Sequence, residues 1–324
     1  MVRGQMAVHF VTRRACVALA ALTLVACGPP DSTDVAEAAV DGFPLAIPGP
    51  GGGEVLLERP AWRILPGNAG ALDLLSSLIE PERVVAITVG TRPYSVALRG
   101  DFDGSGVREV ESFDLETIVS LEPDVVVSHA WQSIDKGPFL RRVGIPVFEI
   151  PDAVDFEGLC DVIALLGAAV GEDQRASATI ADLRARLATL AEVDRSRFDA
   201  MTYSSSGAGG WTAAEGTTAE AFMTWAGLTP AATAAGLRGH HQVDHERLLD
   251  IDPRVLIIAS DDGDPDASTT LLALRADERL SSLRALGDDG LVIVLPDELF
   301  SCTSHYLVEA AERVAAAVDA RWRP

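Results

Sequence analysis

Short apolar runs rich in β-branched residues alternate with amphipathic segments along most of the chain. The runs VVAITV, DVVVS and IPVFEI in the first half, and RVLIIAS and LVIVLP in the second, have the length and composition of buried strands. Between such runs, AGALDLLSSLI and TTAEAFMTWAG place apolar residues at helical spacing. This alternation predicts an α/β fold with mainly parallel sheets and crossover helices.

One helical pattern is much longer than the others. The segment EDQRASATIADLRARLATLAEV, residues 172–193, contains neither glycine nor proline and is long enough for about six turns. It separates two stretches that each show the strand and helix alternation, and a chain of 324 residues is long enough for two cores. We therefore predict an N-terminal lobe over 59–171, a linking helix over 172–195 and a C-terminal lobe over 196–324.

The two predicted lobes contain an internal repeat. The segment DLETIVSLEPDVVV begins at Asp114, and DHERLLDIDPRVLI begins at Asp244, 130 residues later (244 − 114). Glu116 coincides with Glu246 at the same offset. Each aspartate is a good helix N-cap, so each glutamate is expected in a first helical turn, where the helix dipole favours an anion. From the residues alone, helix initiation and binding of a partner both explain the two glutamates.

The N-terminus has the pattern of an export signal. Residues 1–14 carry three arginines and no acid, and the apolar stretch ACVALAALTLVA follows up to Cys27. The residues before Cys27 resemble a bacterial lipobox, although an ordinary signal peptide with a chance cysteine is the alternative. We predict a lipoprotein signal peptide over 1–26, lipidation of Cys27 and a flexible tether over 27–58. The protein is then exported, periplasmic or at the cell surface, and anchored to a membrane by lipid.

Net charge and cysteine positions bear on the class of partner and on disulfide formation. The formal net charge is −22, which argues against a nucleic-acid partner. Beyond the predicted signal and anchor, Cys160 and Cys302 lie in different halves of the chain, so a disulfide between them is not favoured. A monomer is expected.

Candidate functional side chains follow the predicted strands. In open α/β sheets, functional groups gather beyond the carboxyl ends of the strands. Aromatic, imidazole and thiol side chains occupy such positions here: Tyr94, His129, Trp131, Trp211, Cys302 and His305. Neither a phosphate loop, nor a nucleophile elbow, nor a dinucleotide fingerprint accompanies them, and an enzyme is not expected.

The order RILPGNAGALDLLSSLIEPERVVAITVG, FDLETIVSLEPDVVV, GIPVFEI, long helix, GTTAEAFMTWAGL and HQVDHERLLDIDPRVLII closely resembles the periplasmic binding proteins of iron-siderophore, haem and vitamin B12 ABC importers. The resemblance extends from about Ala61 to the end of the chain. It implies two Rossmann-like lobes joined by one rigid helix, with a ligand cleft between them and no chemical turnover. It also implies an ABC permease and its ATPase as partners, with Glu116 and Glu246 pairing with permease arginines.

The resemblance implies a ferric siderophore or haem in the cleft, with no intrinsic cofactor, and cobalamin as the alternative. Tyr94 matches a loop position often used by haem and cobalamin binders. His129 and His240 stand where vitamin B12 binders of the family tend to carry tryptophan. An exported metal-binding sensor or enzyme on the same scaffold is the alternative from another class.

Two roles are open for the cleft histidines. His240 or His241, with Tyr94 or Tyr306, could complete the coordination of an incompletely chelated iron, and a thiolate from Cys302 is a softer ligand. Alternatively, the histidines donate hydrogen bonds to the ligand. Arg92, like Arg99, could meet an anionic chelate or pair with nearby acids.

Overall fold

The computed structural model describes residues 41–100, 102–129, 136–151, 153–206 and 209–322. The predicted signal peptide, Cys27 and Trp131 lie outside the described residues. Among the residues described, no helix is long and apolar enough to cross a membrane.

The N-terminal lobe alternates strands and helices, as the pattern predicts. Its strands are β1 (Leu45–Gly49), β2 (Gly53–Leu57), β3 (Ile64–Pro66), β4 (Ile87–Thr88), β5 (Glu109–Val110), β6 (Val125–His129) and β7 (Val147–Ile150). Its helices are α1 (Ala69–Ser76), α2 (Leu115–Ser120), α3 (Gly137–Arg142) and α4 (Phe156–Val170). Strands β3, β6 and β7 form a parallel sheet in that order, and β4 pairs in parallel with β5. The predicted strand VVAITV is therefore short, because 3₁₀ turns follow it over Val89–Tyr94 and Ala97–Arg99.

A β-hairpin precedes this lobe within the segment assigned to the tether. Strands β1 and β2 pair antiparallel, with Ile47 opposite Val55. Ile47 and Leu57 are buried in the core of the N-terminal lobe. The prediction of a flexible tether was wrong over residues 45–57, because burial of these side chains against the lobe stabilises a hairpin in a glycine-rich sequence.

The long helical pattern forms α5 (Asp173–Ala191), slightly shorter than the predicted span of 172–195. It packs against α4 and against α11 (Leu307–Trp322), the last helix of the chain. Arg186 of α5 forms a bidentate pair with Glu312, at 2.8 and 2.6 Å. The linking helix thus packs against one helix of each lobe, α4 of the N-terminal lobe and α11 of the C-terminal lobe.

The C-terminal lobe continues the alternation after α5. Its strands are β8 (Asp199–Thr202), β9 (Ser204–Ser206), β10 (Gly209–Ala213), β11 (Thr229–Pro230), β12 (His240–Asp244), β13 (Val255–Ser260) and β14 (Leu291–Pro296). Its helices before α11 are α6 (Thr218–Trp225), α7 (Ala231–Ala234), α8 (His245–Ile251), α9 (Thr269–Ala276) and α10 (Asp297–Phe300). The parallel sheet has the order β11, β8, β13, β14, and a separate antiparallel sheet has the order β12, β10, β9.

The two copies of the internal repeat adopt the same local structure. Asp114 caps α2 by accepting a hydrogen bond from the Thr117 amide at 2.8 Å, and Asp244 caps α8 in the same way. At the other end, Glu122 and Asp252 have positive φ values of 47° and 43°. A buried parallel strand then follows in each copy, β6 in one and β13 in the other. The predicted N-caps are confirmed.

Candidate functional site

Two adjoining cavities lie between the N-terminal and C-terminal lobes. The first has a volume of about 290 Å³ and the second about 280 Å³. Thr303, in the loop between α10 and α11, lines both. Gly70 of α1 lacks a side chain where Thr303 approaches, and a Cβ there would clash with the threonine hydroxyl. Small-molecule sites span roughly 300–1,000 Å³, so the two cavities together have the size of a ligand site.

His129 lies on the N-terminal wall of the first cavity. It is the last residue of β6 and is buried. Its Nδ1 lies 3.1 Å from Nδ2 of Asn68, and the Asn68 Oδ1 accepts a hydrogen bond from the Ala71 amide. The N-cap residue of α1 therefore contacts the imidazole, and the His129 side chain forms part of the cavity wall.

His240 lies on the opposite wall of the first cavity, in the C-terminal lobe. It is exposed and begins β12, whose partner strand β10 places Ala213 opposite it. His241 is also exposed but does not line either cavity, since successive strand residues point to opposite faces. The rest of this wall comes from Gly216, Thr217 and Thr218 at the start of α6.

Asp73 is the ionisable carboxylate of the second cavity. It is buried on α1, and its Oδ1 accepts hydrogen bonds from the Ser95 hydroxyl at 2.6 Å and the Ala97 amide at 3.0 Å. Burial raises the pKa of Asp73 to about 6, against the effect of these hydrogen bonds. Tyr94 lines the same cavity and is exposed at the end of a 3₁₀ turn.

Cys302 also lines the second cavity, from the C-terminal lobe. It is buried, and its Sγ lies 3.1 Å from the Ser304 hydroxyl. Burial raises the pKa of the Cys302 thiol to about 12. At neutral pH the side chain is therefore a neutral thiol, which is a poor metal ligand compared with a thiolate.

His305 and Tyr306 directly precede α11 and form an aromatic pair. The two rings are tilted by 33° with centroids 4.1 Å apart, and the Tyr306 hydroxyl lies 3.4 Å from the Ser76 hydroxyl across the lobes. His305 is buried, and its Nδ1 has no hydrogen-bond partner among the described residues. Burial, followed by the charge of Arg186, lowers the pKa of His305 to about 4. Neither ring lines the two cavities.

The candidate arginines are ion-paired and line neither cavity. Arg92 pairs with Glu109, which raises the Arg92 pKa through that hydrogen bond. Arg99 of the N-terminal lobe pairs with three carboxylates of the C-terminal lobe: Asp261, Asp262 and Glu298. The Arg99 contacts join the two lobes.

Trp211 is exposed on β10, outside the lining of both cavities. Among the residues that the structure describes, no group of three His, Cys, Asp or Glu side chains is placed to hold a metal ion. His240 and Tyr94 line different cavities, so iron coordination by this pair stays a prediction.

Sequence reasoning missed several cleft residues of the N-terminal and C-terminal walls. Asn68, Asp73, Thr217, Thr218 and Thr303 all line one or both cavities. Asn68 had a usable signal, because an asparagine directly before the apolar-periodic AGALDLL is a helix N-cap and the loop before that helix follows a strand. The threonines carried no signal beyond being small and polar.

Two buried groups with opposite pKa shifts predict a compensated acid response. The pKa of Asp73 is 3.8 in the unfolded chain, and burial raises it to about 6 in the folded protein. Its contribution to the free energy of unfolding therefore rises as pH falls from 6 to 3.8. The pKa of His305 is 6.5 in the unfolded chain, and burial lowers it to about 4 in the folded protein. Its contribution to the free energy of unfolding therefore falls as pH drops from 6.5 to 4. Each difference corresponds to about 3 kcal/mol.

The single variants separate these contributions. Relative to the double variant Asp73→Asn/His305→Gln, Asp73→Asn is expected to lose about 3 kcal/mol of unfolding free energy between pH 6.5 and pH 4. His305→Gln is expected to gain a similar amount between pH 6 and pH 3.8. Urea unfolding at a series of pH values measures both, and parallel pH curves for all three variants would refute the assignment.

The sequence profile of the family described as periplasmic binding protein matches residues 67–299. The chain belongs to this family.

A cobalamin-binding protein of Halobacterium salinarum is 26% identical over 193 residues, which cover 59% of this chain and 51% of the relative. An uncharacterized ABC transporter substrate-binding lipoprotein of Bacillus subtilis, YvrC, is 25% identical over 188 residues, or 55% of this chain and 57% of the relative. The chain spans little more than half the length of these curated relatives.

Solved structures of the periplasmic binding protein class share the fold. A protein of an ABC-type Fe³⁺-hydroxamate transport system from Saccharomonospora viridis aligns with a TM-score of 0.69 at 23% identity, covering 85% of this chain and 99% of that chain. The periplasmic haem-binding protein RhuT from Roseiflexus aligns with a TM-score of 0.66 at 18% identity, covering 80% and 98%. The predicted α/β fold of two lobes joined by a long helix is confirmed.

Proposed function

We propose that the protein is the lipid-anchored substrate-binding component of an ABC importer, which captures a metal chelate in the cleft and delivers it to a membrane permease. The chelate is a ferric siderophore or haem, or alternatively cobalamin. The observation that carries the proposal is the pair of adjoining cavities between lobes, with walls contributed by His129, His240, Tyr94 and neutral hydroxyl groups. Such a site suits reversible binding, and the lining that the structure describes offers no nucleophile paired with a base.

Docking to the permease is proposed to use the repeated glutamates. Glu116 and Glu246 are exposed in the first turns of α2 and α8, and among the described residues neither has an ion-pair partner. Because the two copies of the repeat share their caps and their strands, both carboxylates are presented by the same local geometry in each lobe. An arginine of a partner protein would meet an uncompensated anion at either position.

Anchoring is proposed to use Cys27, which precedes the described residues. A lipidated cysteine would hold the protein at the outer side of a membrane, close to the permease. The relative YvrC is itself described as a lipoprotein, which supports this part of the proposal. Mass spectrometry of the membrane-extracted protein tests it, with diacylglycerol on Cys27 as the expected modification and Cys27→Ser as the control.

Binding by the purified protein tests the proposed function. Residues 28–324 are titrated with ferric hydroxamates, ferric catecholates, haem and cyanocobalamin, and tryptophan quenching and ligand absorption are recorded. We expect saturable binding of at least one compound with a Kd on the order of 1 μM or tighter, equivalent to about −8 kcal/mol. If none binds at that concentration, the proposal fails.

A further inference from the structure

The described walls of the cleft carry few formal charges. Among the residues described as lining the two cavities, Asp73 is the one carboxylate, and His129 and His240 are the two imidazoles. Neither arginine nor lysine is among them. The other polar groups are hydroxyls, an amide, a phenol and the neutral Cys302 thiol, all of which donate or accept hydrogen bonds without charge.

Arginines do occur near the cleft, but acids compensate each of them. Arg238 precedes the cavity residues Gly239 and His240, and its Nε lies 2.9 Å from Oε2 of Glu215. Arg92 precedes Tyr94 by two positions and is paired with Glu109. Neither pair is among the lining residues, and each combines one positive with one negative side chain, so it adds no net charge near the cleft.

The environment of Arg99 is more acidic still. Its guanidinium meets Asp261, Asp262 and Glu298, which leaves an excess of negative charge at this contact between the lobes. Glu298 is buried, and its Oε2 has no hydrogen-bond partner among the described residues. Burial and then the neighbouring Asp261 raise the pKa of Asp297, which begins α10 beside them. Anionic groups therefore repel one another here before any ligand arrives.

The single lysine of the chain lies away from the two cleft cavities. Lys136 lines a separate cavity of about 470 Å³ in the N-terminal lobe, together with Glu111, and its ammonium donates to the Phe113 carbonyl. It does not line either cleft cavity.

From these observations we infer that the ligand of the cleft is an electrically neutral or cationic metal chelate with an amide- or hydroxamate-rich periphery, and not haem or a catecholate chelate. The inference rests on the proposed function and names the charge class of its substrate. Desolvation of a buried anion is offset most strongly by a cationic partner, and neither arginine nor lysine is among the residues described as lining the two cavities. Haem carboxylates and triply negative tris-catecholates would instead face Asp73. Uncharged hydroxamate or amide groups would find hydroxyl, amide and imidazole partners on both walls.

Affinity within one panel tests the inference. The probes are ferrichrome as a neutral chelate, ferrioxamine B as a cationic chelate, cyanocobalamin as a neutral amide-rich complex, and ferric enterobactin and haem as anionic complexes. We expect the tightest neutral or cationic probe to bind at least about tenfold more tightly than either anionic probe. A preference for haem or ferric enterobactin, or equal affinity for both classes, would overturn the inference while leaving the proposed function intact. Failure of every probe would instead overturn the proposed function.

A charge introduced into the cleft gives a second readout. Ser301 lines the second cavity and is exposed, so Ser301→Arg adds a cation without filling a core. It is expected to raise the affinity for the anionic probes by about tenfold and to leave ferrichrome binding within about twofold. Ser281→Arg, an exposed site of the same lobe outside the lining, is the control and should change neither. Unchanged binding of anions by Ser301→Arg would show that cleft charge does not select the ligand, against the inference.

Asp73→Asn gives the reciprocal change on the other wall. The amide keeps an oxygen to accept from Ala97, and the Ser95 hydroxyl can still bond to it. Loss of the negative charge is expected to weaken ferrioxamine B binding several-fold relative to ferrichrome. An equal loss for both probes would indicate a structural effect and contradict a role for Asp73 in selecting charge.

Discussion

Replacing Glu116 and Glu246 together by alanine is expected to abolish stimulation of the importer while leaving ligand affinity unchanged. Truncating one member of an interfacial charge pair costs about 2–5 kcal/mol, and the proposed docking uses two carboxylates of this protein. Both lie in the first turn of a short exposed helix, away from the residues lining the cleft. The measurement is ATP hydrolysis by the permease and ATPase in proteoliposomes, as a function of the concentration of ligand-loaded protein.

A matched pair of substitutions controls for loss of surface charge. Glu82 and Glu278 are exposed glutamates, one in each lobe, and each lies in the first turn of a 3₁₀ helix. Glu82→Ala/Glu278→Ala should stimulate ATP hydrolysis as the unmodified protein does. Each single docking variant should fall between the control and the double variant. Full stimulation by Glu116→Ala/Glu246→Ala would refute docking through the repeat, and α2 and α8 would then carry glutamates only to support their own N-termini.

Arg83→Met is expected to destabilise the protein by about 3 kcal/mol, since it removes a buried cation and several of its hydrogen bonds. The guanidinium donates to the carbonyls of Ala61 and Val170 at 2.7 and 2.6 Å, and to Oε1 of Glu172 at 2.9 Å. Val170 ends α4 and Glu172 precedes the linking helix. The substitution leaves two carbonyls and one partly buried carboxylate without their partner.

The measurement for Arg83 is the free energy of unfolding in urea. Arg175→Met is the matched control, because Arg175 forms a comparable 2.8 Å pair with Glu80 between two exposed side chains. Exposed pairs contribute less than about 1 kcal/mol, so the control should lose less than that. Equal losses for the two variants would show that burial at the junction of α4 and α5 does not determine the strength of the Arg83 contacts.

Elements with strong local signals could be predicted from sequence. The repeat predicted both N-caps, because an aspartate followed by an apolar-periodic stretch determines a helix start within a few residues. The 172–195 pattern predicted the linking helix to within four residues at its C-terminal end, since helix length follows from an uninterrupted polar and apolar period. Helices α1 and α6 fall within their predicted segments, AGALDLLSSLI and TTAEAFMTWAG, for the same reason.

Elements that depend on tertiary contacts could not be predicted. The hairpin β1–β2 lies in a glycine- and proline-rich segment, and it forms because Ile47 and Leu57 enter the core of the N-terminal lobe. Strand β12 reads HHQVD, with one buried residue, Val243, and is held by pairing with β10. Neither segment carries the alternation by which a strand is recognised from sequence.

The candidate site was predictable by region rather than by residue. Strand ends predicted His129, Tyr94 and Cys302 as candidates, and these three residues line the cavities, while their role in binding stays a prediction. The same reasoning predicted His305 at the cleft, and this residue is buried outside the lining of both cavities. The individual residues could not be predicted because the cleft brings together residues far apart in the chain. Residues near position 70 meet residues near position 303, and a local sequence pattern does not predict such a contact.

The measurement that tests the central claim most directly is ligand binding after the cleft is filled from one wall. Thr218 lines the first cavity at the first position of α6, directly after the N-cap Thr217, and Thr224 is exposed near the other end of the same helix. For the probe that binds most tightly, Thr218→Trp is expected to raise the Kd at least about tenfold, and Thr224→Trp to leave it unchanged. If Thr218→Trp is folded and binds as tightly as Thr224→Trp, the ligand does not occupy the cleft between the lobes.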